Sequence, residues 1–394
     1  PPPPHDTSSA VSDVYKRQDE GNPRKSSAIL YRSNAQSRVI EEALIRVGLP
    51  YRIYGGQRFY ERLEIRNALA YMRLIIGRGD DPALERIINT PTRGIGSKTV
   101  DDLRAIAREN NVSMWQAIGL AQQNGLLGSR ARSSLAGFAA LINELDSETV
   151  ELPLEEMVEH VIHRTGLIEF HKAEKGERGQ ARVENLEELV SAAKTFRAED
   201  DSLSPLQQFL DSAALDAGDS QADPYEDSVQ MMTLHSAKGL EFPLVILAGL
   251  EENLFPHRMS VEEPGRLEEE RRLAYVGITR AQQRLLITYA ESRRLHGSET
   301  YNTPSRFVRE IPADLIEEVR LHGGLTRPLA DRLQQPVAAS NESGLSLGQR
   351  VTHPMFGEGM VLNIEGRGAN ARIEVNFAEG SKWLVLQYAN LQAL

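Results

Sequence analysis

The chain has 394 residues, 40% of them hydrophobic and 26% charged, which is enough for two or three domains with packed cores. A formal net charge of −11 argues against a generally basic nucleic-acid coat, but it leaves room for a local basic groove. The absence of cysteine excludes disulfides and thiolate metal sites and fits a reducing, cytoplasmic setting; no apolar run approaches the ~18–20 residues that span a bilayer.

Residues 1–25 are expected to be a non-native or disordered leader. "PPPPHDTSSAVSDVYKRQ" has no periodicity, and Asp13–Gln18 back-translates into what resembles a sequencing-library adapter. The native beginning of the first domain is therefore expected to be missing. "SAILYRS", Ser27–Ser33, reads as a short strand ending in polar residues. Val39, Ala43, Leu44 and Val47 then recur at helical spacing, Gly48 supplies a helix stop, and "PYRIYG" reads as the next strand. This order suggests one edge of a parallel α/β sheet.

Residues 54–225 read as mostly helical and close in an acidic stretch from Glu199 to Asp223, expected to be a solvated surface or linker. Alpha/beta character returns with strands at Val229–Leu234 and Leu244–Ala248 around a polar, glycine-containing loop. A helix around "LEEERRLAYVGITRA" and a strand "RLLITYA" follow. The economical reading is one α/β domain, begun at 26–53, interrupted by a helical insertion at 54–225 and completed at 226–320. Residues 321–345 have linker composition. Residues 346–394 alternate in short strands with Gly-rich turns, which suggests a small SH3/Tudor-like β-barrel.

"PTRGIGSKT", Pro91–Thr99, looks at first like a phosphate loop. It is not one, because Ser97 rather than glycine precedes Lys98, Thr92 stands where the first glycine belongs, and a helix rather than a strand leads in. Helix, Gly-Ile-Gly turn and second helix form a different pattern. Glycines allow close approach of the backbone, and a helix starting near Ser97 turns its N–H groups toward an anion. Arg93, Gly94, Ile95, Gly96, Lys98 and Thr99 are thus candidates for gripping a duplex backbone, in the manner of a helix–hairpin–helix. An ordinary helix–turn–helix connection is the plain alternative.

Two further stretches carry chemistry. "TLHSAKGLEF", Thr233–Phe242, gathers His, Ser, Lys, Gly and Glu after a strand; "EEERRLAYVGITRA", Glu268–Ala281, places arginines beside an apolar helix face. Together with "AILYRSNAQSR" and "PYRIYGGQRFYERLEIRNALAYMRLI", in this order, they resemble the UvrD/PcrA/Rep family of superfamily 1 DNA helicases. The resemblance covers about residues 26–320 and extends into the tail through "LGQRVTHPMFGEGMV". It implies a RecA-like, P-loop-NTPase-type domain 2A interrupted by the α-helical domain 2B and followed by the Tudor-like module. Domains 1A and 1B, with the phosphate loop, would be absent from the chain.

The resemblance also implies roles. His235, Arg32 and Asn34 would contact single-stranded DNA. Gly239 and Glu241 would lie beside the nucleotide, and Arg280 would be an arginine finger acting on the transferring phosphoryl group. Gly94–Thr99 would contact duplex DNA. ATP with Mg2+ would serve the complete enzyme, a 3′-to-5′ helicase of DNA repair, and this chain alone is expected to be inactive. Implied partners are single-stranded and duplex DNA, the missing motor domain 1A, and RNA polymerase or repair proteins at the tail, where Phe356 and Trp383 are candidate aromatics. No metal site is expected in the chain. A non-catalytic DNA-binding adaptor, or another superfamily 1 helicase of the Rep or recombination type, stands as the alternative.

Overall fold

The structure is a computed structural model. It describes residues 22–319 and 350–393, apart from 175, 219–224, 263–264, 291, 296–297, 354–355, 366–371, 378–379 and 386–391. Most of the expected leader and all of the expected linker lie outside the described residues. The chain divides into two compact units, Pro1–Glu310 and Ile311–Leu394.

The first unit is built on β1 (Ser27–Tyr31), α1 (Ser37–Arg46) and β2 (Tyr51–Ile53). "SAILY" is buried at every position, as a parallel strand covered on both faces must be. Helix α1 ends at Gly48, whose φ of 67° gives the left-handed turn that lets Leu49 N–H reach the Leu44 carbonyl at 2.9 Å. The buried face of α1 runs through Ile40, Ala43 and Leu44, and also takes in Arg38 and Glu41. Val39 and Val47 are not on it. The stripe sits one residue away from the one apolar spacing suggests, because two charged side chains are turned inward to ion-pair partners.

Between β2 and β3 the described elements are helical: α2 (Leu63–Ile76), α3 (Asp81–Ile87), α4 (Ser97–Asn110), α5 (Met114–Gln123), α6 (Ser129–Thr149), α7 (Leu154–Arg164), α8 (Leu167–Lys172), α9 (Glu177–Thr195) and α10 (Pro205–Gly218). They enclose their own core, with Tyr71, Leu84, Phe138, Leu145 and Leu186 fully or almost fully buried. The chain then returns to the sheet with β3 (Val229–Thr233) and β4 (Phe242–Leu247). It continues through α11 (Arg258–Glu262) and α12 (Arg266–Ile278) into β5 (Ala281–Ile287), and ends this unit with the hairpin β6 (Ser292–Leu295) and β7 (Ser298–Tyr301) and the short α13 (Arg306–Arg309).

Strand order is β2-β3-β1-β4-β5, and every pairing is parallel. Ile29 stands opposite Met231 on one side and Ile246 on the other, at the centre of the apolar core. The helical segment is therefore inserted between two strands of one sheet. Among the described residues no helix is long and apolar enough to cross a membrane.

The second unit contains β8 (Arg350–His353), β9 (Gly357–Glu365), β10 (Arg372–Phe377), β11 (Gly380–Val385) and β12 (Gln392–Ala393). They form one antiparallel sheet in the order β11-β10-β9-β8-β12. Phe356 stacks on His353 at 4.6 Å between ring centroids, and Lys382 Nζ lies 4.0 Å from the Phe356 ring centre. The side chain of Trp383 lies outside the described residues.

Candidate functional site

In a parallel sheet all strands point the same way, so the loops divide between two edges. Arg32 and Asn34 follow β1, and His235 follows β3; all three lie at the carboxyl edge. Glu241 directly precedes β4 and Arg280 directly precedes β5, so both lie at the opposite edge. The common direction of the strands thus separates the residues expected on DNA from those expected on nucleotide.

At the carboxyl edge, Gln36 shapes the turn. Its Oε1 accepts from the backbone N–H of Arg32 (3.0 Å) and Ser33 (2.8 Å), while its Nε2 donates to the Ala248 carbonyl after β4 (3.4 Å). Gly249, at φ 76°, leaves room for it, since a Cβ there would stand 2.6 Å from Gln36 Nε2. Arg32 donates from Nε to both oxygens of Glu270 (3.0 Å each) and from Nη2 to Oε1 (2.7 Å). Burial opposes the Arg32 charge, but the Glu270 bonds outweigh it and raise its pKa. The exposed His235 imidazole is held below its usual range by partial desolvation and by the Arg32 cation. Asn34 is exposed, and its carbonyl accepts from Arg62 Nη1 at 2.9 Å.

At the opposite edge, Phe242 N–H donates to the Arg280 carbonyl at 2.9 Å, fastening the two segments side by side. The Arg280 guanidinium is held by its own surroundings. Nε donates to the Val276 carbonyl (2.9 Å), Nη1 to the Leu240 carbonyl (3.0 Å) and Nη2 to Thr279 Oγ1 (3.0 Å). That employs three of the five N–H donors a guanidinium carries, in a fixed planar fork. Glu241 is exposed and accepts from Gln282 Nε2 at 3.4 Å. Gly239 is exposed with φ 87°, in open space.

Residues 234–241 connect the two edges. They leave β3 at one edge, pass over β1 and enter β4 at the other. Helix α12 makes a second connection, starting at the carboxyl edge and ending two residues before Arg280. Its buried stripe is Glu270, Leu273, Ala274 and Gly277, at helical spacing. Gly277 is the point of closest approach: a Cβ there would stand 2.6 Å from Leu234 Cδ2 and 3.0 Å from Leu247 Cδ2.

In the helical segment, the Gly94–Thr99 residues do not act alike. Gly94 (φ 74°), Gly96 and Lys98 are exposed, and Gly96 precedes α4 without a side-chain cap, so the first N–H groups of α4 face outward. Ile95 is buried, and Thr99 is partly buried. Arg93 turns inward. It donates to the carbonyls of Ile87 (3.3 Å), Pro91 (3.0 Å) and Thr165 (3.2 Å) and lies over the Tyr71 and Phe138 rings. Asn89 Oδ1 shapes the turn by accepting from the N–H of Arg93 (2.8 Å) and Ile95 (3.2 Å).

Sequence reasoning missed Gln36, Asn89, Glu270 and Gly277. Only Gly277 carried a local signal, a lone glycine inside a helical pattern. The others act through partners 3 to 238 positions away in the chain.

The sequence model of the UvrD-like helicase C-terminal domain matches residues 5–292, and that of the PcrA/UvrD tudor domain matches residues 347–392. The chain is 53% identical over 387 residues to DNA helicase II of Escherichia coli K12, covering 98% of this chain and 54% of that protein. It is 52% identical to DNA helicase II of Haemophilus influenzae (97% and 53% covered) and 39% identical to the ATP-dependent DNA helicase PcrA of Bacillus subtilis (93% and 52% covered). The chain spans about half the length of the curated relatives it matches.

Proposed function

This chain belongs to the UvrD-like helicase family, and from that premise we propose that it is the C-terminal part of an ATP-dependent DNA helicase that moves 3′-to-5′ on single-stranded DNA and unwinds duplex in repair. In this reading the α/β sheet is domain 2A of the RecA-like kind, the helical insertion is domain 2B, and the second unit is a Tudor-like barrel. The observation that carries the reading is the separation of charged groups to opposite edges of one sheet, joined by residues 234–241 and by α12.

The mechanism follows from that arrangement. Arg32, Asn34 and His235 hold the single-stranded backbone at the carboxyl edge. Glu241 and Arg280 face a nucleotide held by domain 1A, which supplies the phosphate loop. Among the described residues no group of three or more His, Asp or Glu side chains is placed to hold a metal ion, so no step is assigned to Mg2+ in this chain. Arg280 stabilises the charge of the transferring phosphoryl group with the N–H donors left outside its three internal bonds, at the moment the cleft closes. Closing displaces α12 and residues 234–241, and both begin at the DNA edge. Lys98 and the N–H groups at the start of α4 grip the duplex ahead. The Tudor-matched segment docks RNA polymerase or repair proteins, and the whole works on the nucleoid in the cytoplasm.

The test is ATP hydrolysis with and without single-stranded DNA, by this chain alone and by the chain joined to the N-terminal motor half of the E. coli relative. The chain alone should show no turnover above its Arg280→Ala variant. The joined protein should turn over and lose roughly a thousandfold or more on Arg280→Ala. Arg280-dependent turnover by the chain alone, or a joined protein indifferent to Arg280, would sink the reading.

A further inference from the structure

Glu270 is an unexpected residue for its position. It occupies the inward stripe of α12, where Leu273, Ala274 and Gly277 continue the pattern, and its side chain is 3% exposed. An ionised carboxylate in such a place is costly unless every lone pair is met. Here each oxygen is met. Besides the Arg32 guanidinium, Oε2 accepts the His257 backbone N–H (3.2 Å) and Oε1 accepts the Ser260 hydroxyl (3.2 Å). The site is built to hold a carboxylate in one orientation, and what it holds in turn is Arg32.

The geometry of the pair leaves Arg32 usable. Glu270 takes Nε and Nη2, while both hydrogens of Nη1 point away from it. Glu270 therefore fixes the fork while leaving one end to reach a phosphate. It also offsets the repulsion between Arg32 and His235, which share this edge.

Glu270 and Arg280 are also mechanically joined. They are separated by a little over two turns of one helix, roughly 12 Å at the helical rise of 1.5 Å per residue, and a short turn. The helix is packed at Gly277 against Leu234, the residue before His235. A phosphate that binds Nη1 brings a second anion to a cation already shared with Glu270. The two anions repel, and the guanidinium's hold on α12 changes. We propose that Glu270 is a positioning residue that aims Arg32 at the DNA backbone and passes the occupancy of that contact along α12 to Arg280. This inference rests on the helicase reading given above.

The test uses the complete enzyme, this chain joined to its N-terminal motor half, with oligo-dT as the single strand. Glu270→Gln keeps the shape and removes the charge. Its DNA-stimulated turnover should fall at least tenfold more than its DNA-free turnover does, and the half-saturating oligo-dT concentration should rise at least threefold. Ser260→Ala, which loosens the carboxylate without removing it, should move both quantities the same way by less. Fluorescence anisotropy of labelled oligo-dT with this chain alone should show the same order of affinities, wild type, then Ser260→Ala, then Glu270→Gln. If turnover with and without DNA falls by one common factor, or if Glu270→Gln binds and responds as wild type does, the inference is overturned and the helicase reading stands. If the wild-type joined protein shows no DNA-stimulated turnover, the helicase reading fails and takes the inference with it.

Discussion

Arg62 lies almost wholly inside the protein, where a cation survives only if its donors are met. It donates to the Asn34 carbonyl (2.9 Å), to Asn185 Oδ1 (2.9 Å) and to Ser37 Oγ (2.5 Å), and stands 4.0 Å from Glu41. It thereby joins α1, the turn after β1 and helix α9 of the insertion. Burial lowers its pKa despite Glu41, and burial likewise pushes the Glu41 carboxyl up. Arg62→Ala should cost about 3–5 kcal/mol at pH 7, because it strands a buried carboxylate. The sign with pH follows from the raised Glu41 pKa. A raised carboxyl binds its proton more tightly folded than unfolded, so its contribution is fully present below the unfolded pKa and is lost as pH rises through the folded value. Without Arg62 that value rises further. The deficit of Arg62→Ala should therefore shrink as pH falls from 7 toward the ordinary carboxylate range. Urea unfolding at several pH values checks this; a deficit under about 1 kcal/mol, or one that grows in acid, would remove Arg62 from the role. Such residues were illegible in the sequence. Arg38, Glu41 and Glu188 look like solvated helix charges until the fold brings them together, with Arg38 Nε 2.7 Å from Glu188 Oε1.

At the scale of elements, periodicity was informative wherever one face simply met an apolar core. The strands at 27–31, 229–233 and 242–247 could be placed within two residues and the helix over 266–278 within three. It failed where elements are fastened by polar contacts, as on α1, and where a basic residue serves the interior. Arg93 and Lys98 are both candidates for the duplex backbone, yet Arg93 donates to the Ile87, Pro91 and Thr165 carbonyls while Lys98 is exposed. Helix α12 against residues 234–241 offers a direct measurement. Gly277→Ala gains helix propensity of about 1 kcal/mol but must force Leu234 and Leu247 aside, an overpacking cost of about 1–3 kcal/mol. Both leucines are buried and have little space to yield. The single variant should be net destabilised, whereas in a Leu234→Ala background the same change should become neutral or stabilising. A double-mutant cycle by urea unfolding should give a coupling of about 1 kcal/mol or more. Additivity within about 0.5 kcal/mol would mean that helix and connection are not packed as one body.

For the whole molecule, the order of motifs along the chain identified the family, but not the arrangement that makes the motifs a machine. That Arg32 and Arg280 stand at opposite edges of one sheet follows from the parallel pairing that joins β1 to β4 and β4 to β5, a long-range contact that neither motif shows by itself. The same separation resolves an apparent conflict of charge. A chain of net charge −11 can bind a polyanion only through a few placed cations, not through its overall field. Two sets of contacts are then expected to be separable by salt. Lys98, exposed beside the uncapped start of α4, should contribute one phosphate contact to duplex. Lys98→Ala should reduce the slope of log affinity against log salt for a blunt duplex by about 0.9, leaving the single-strand slope unchanged. Arg32→Ala should reduce the single-strand slope by about 0.7 and leave the duplex slope unchanged. Anisotropy titrations of the chain between low and moderate salt measure both. If the two variants weaken both ligands equally, the edges are not independent sites, and duplex and single strand share one surface. If the slopes separate as stated, the helical insertion and the sheet edge are independent sites for duplex and single strand, as the proposed helicase reading requires.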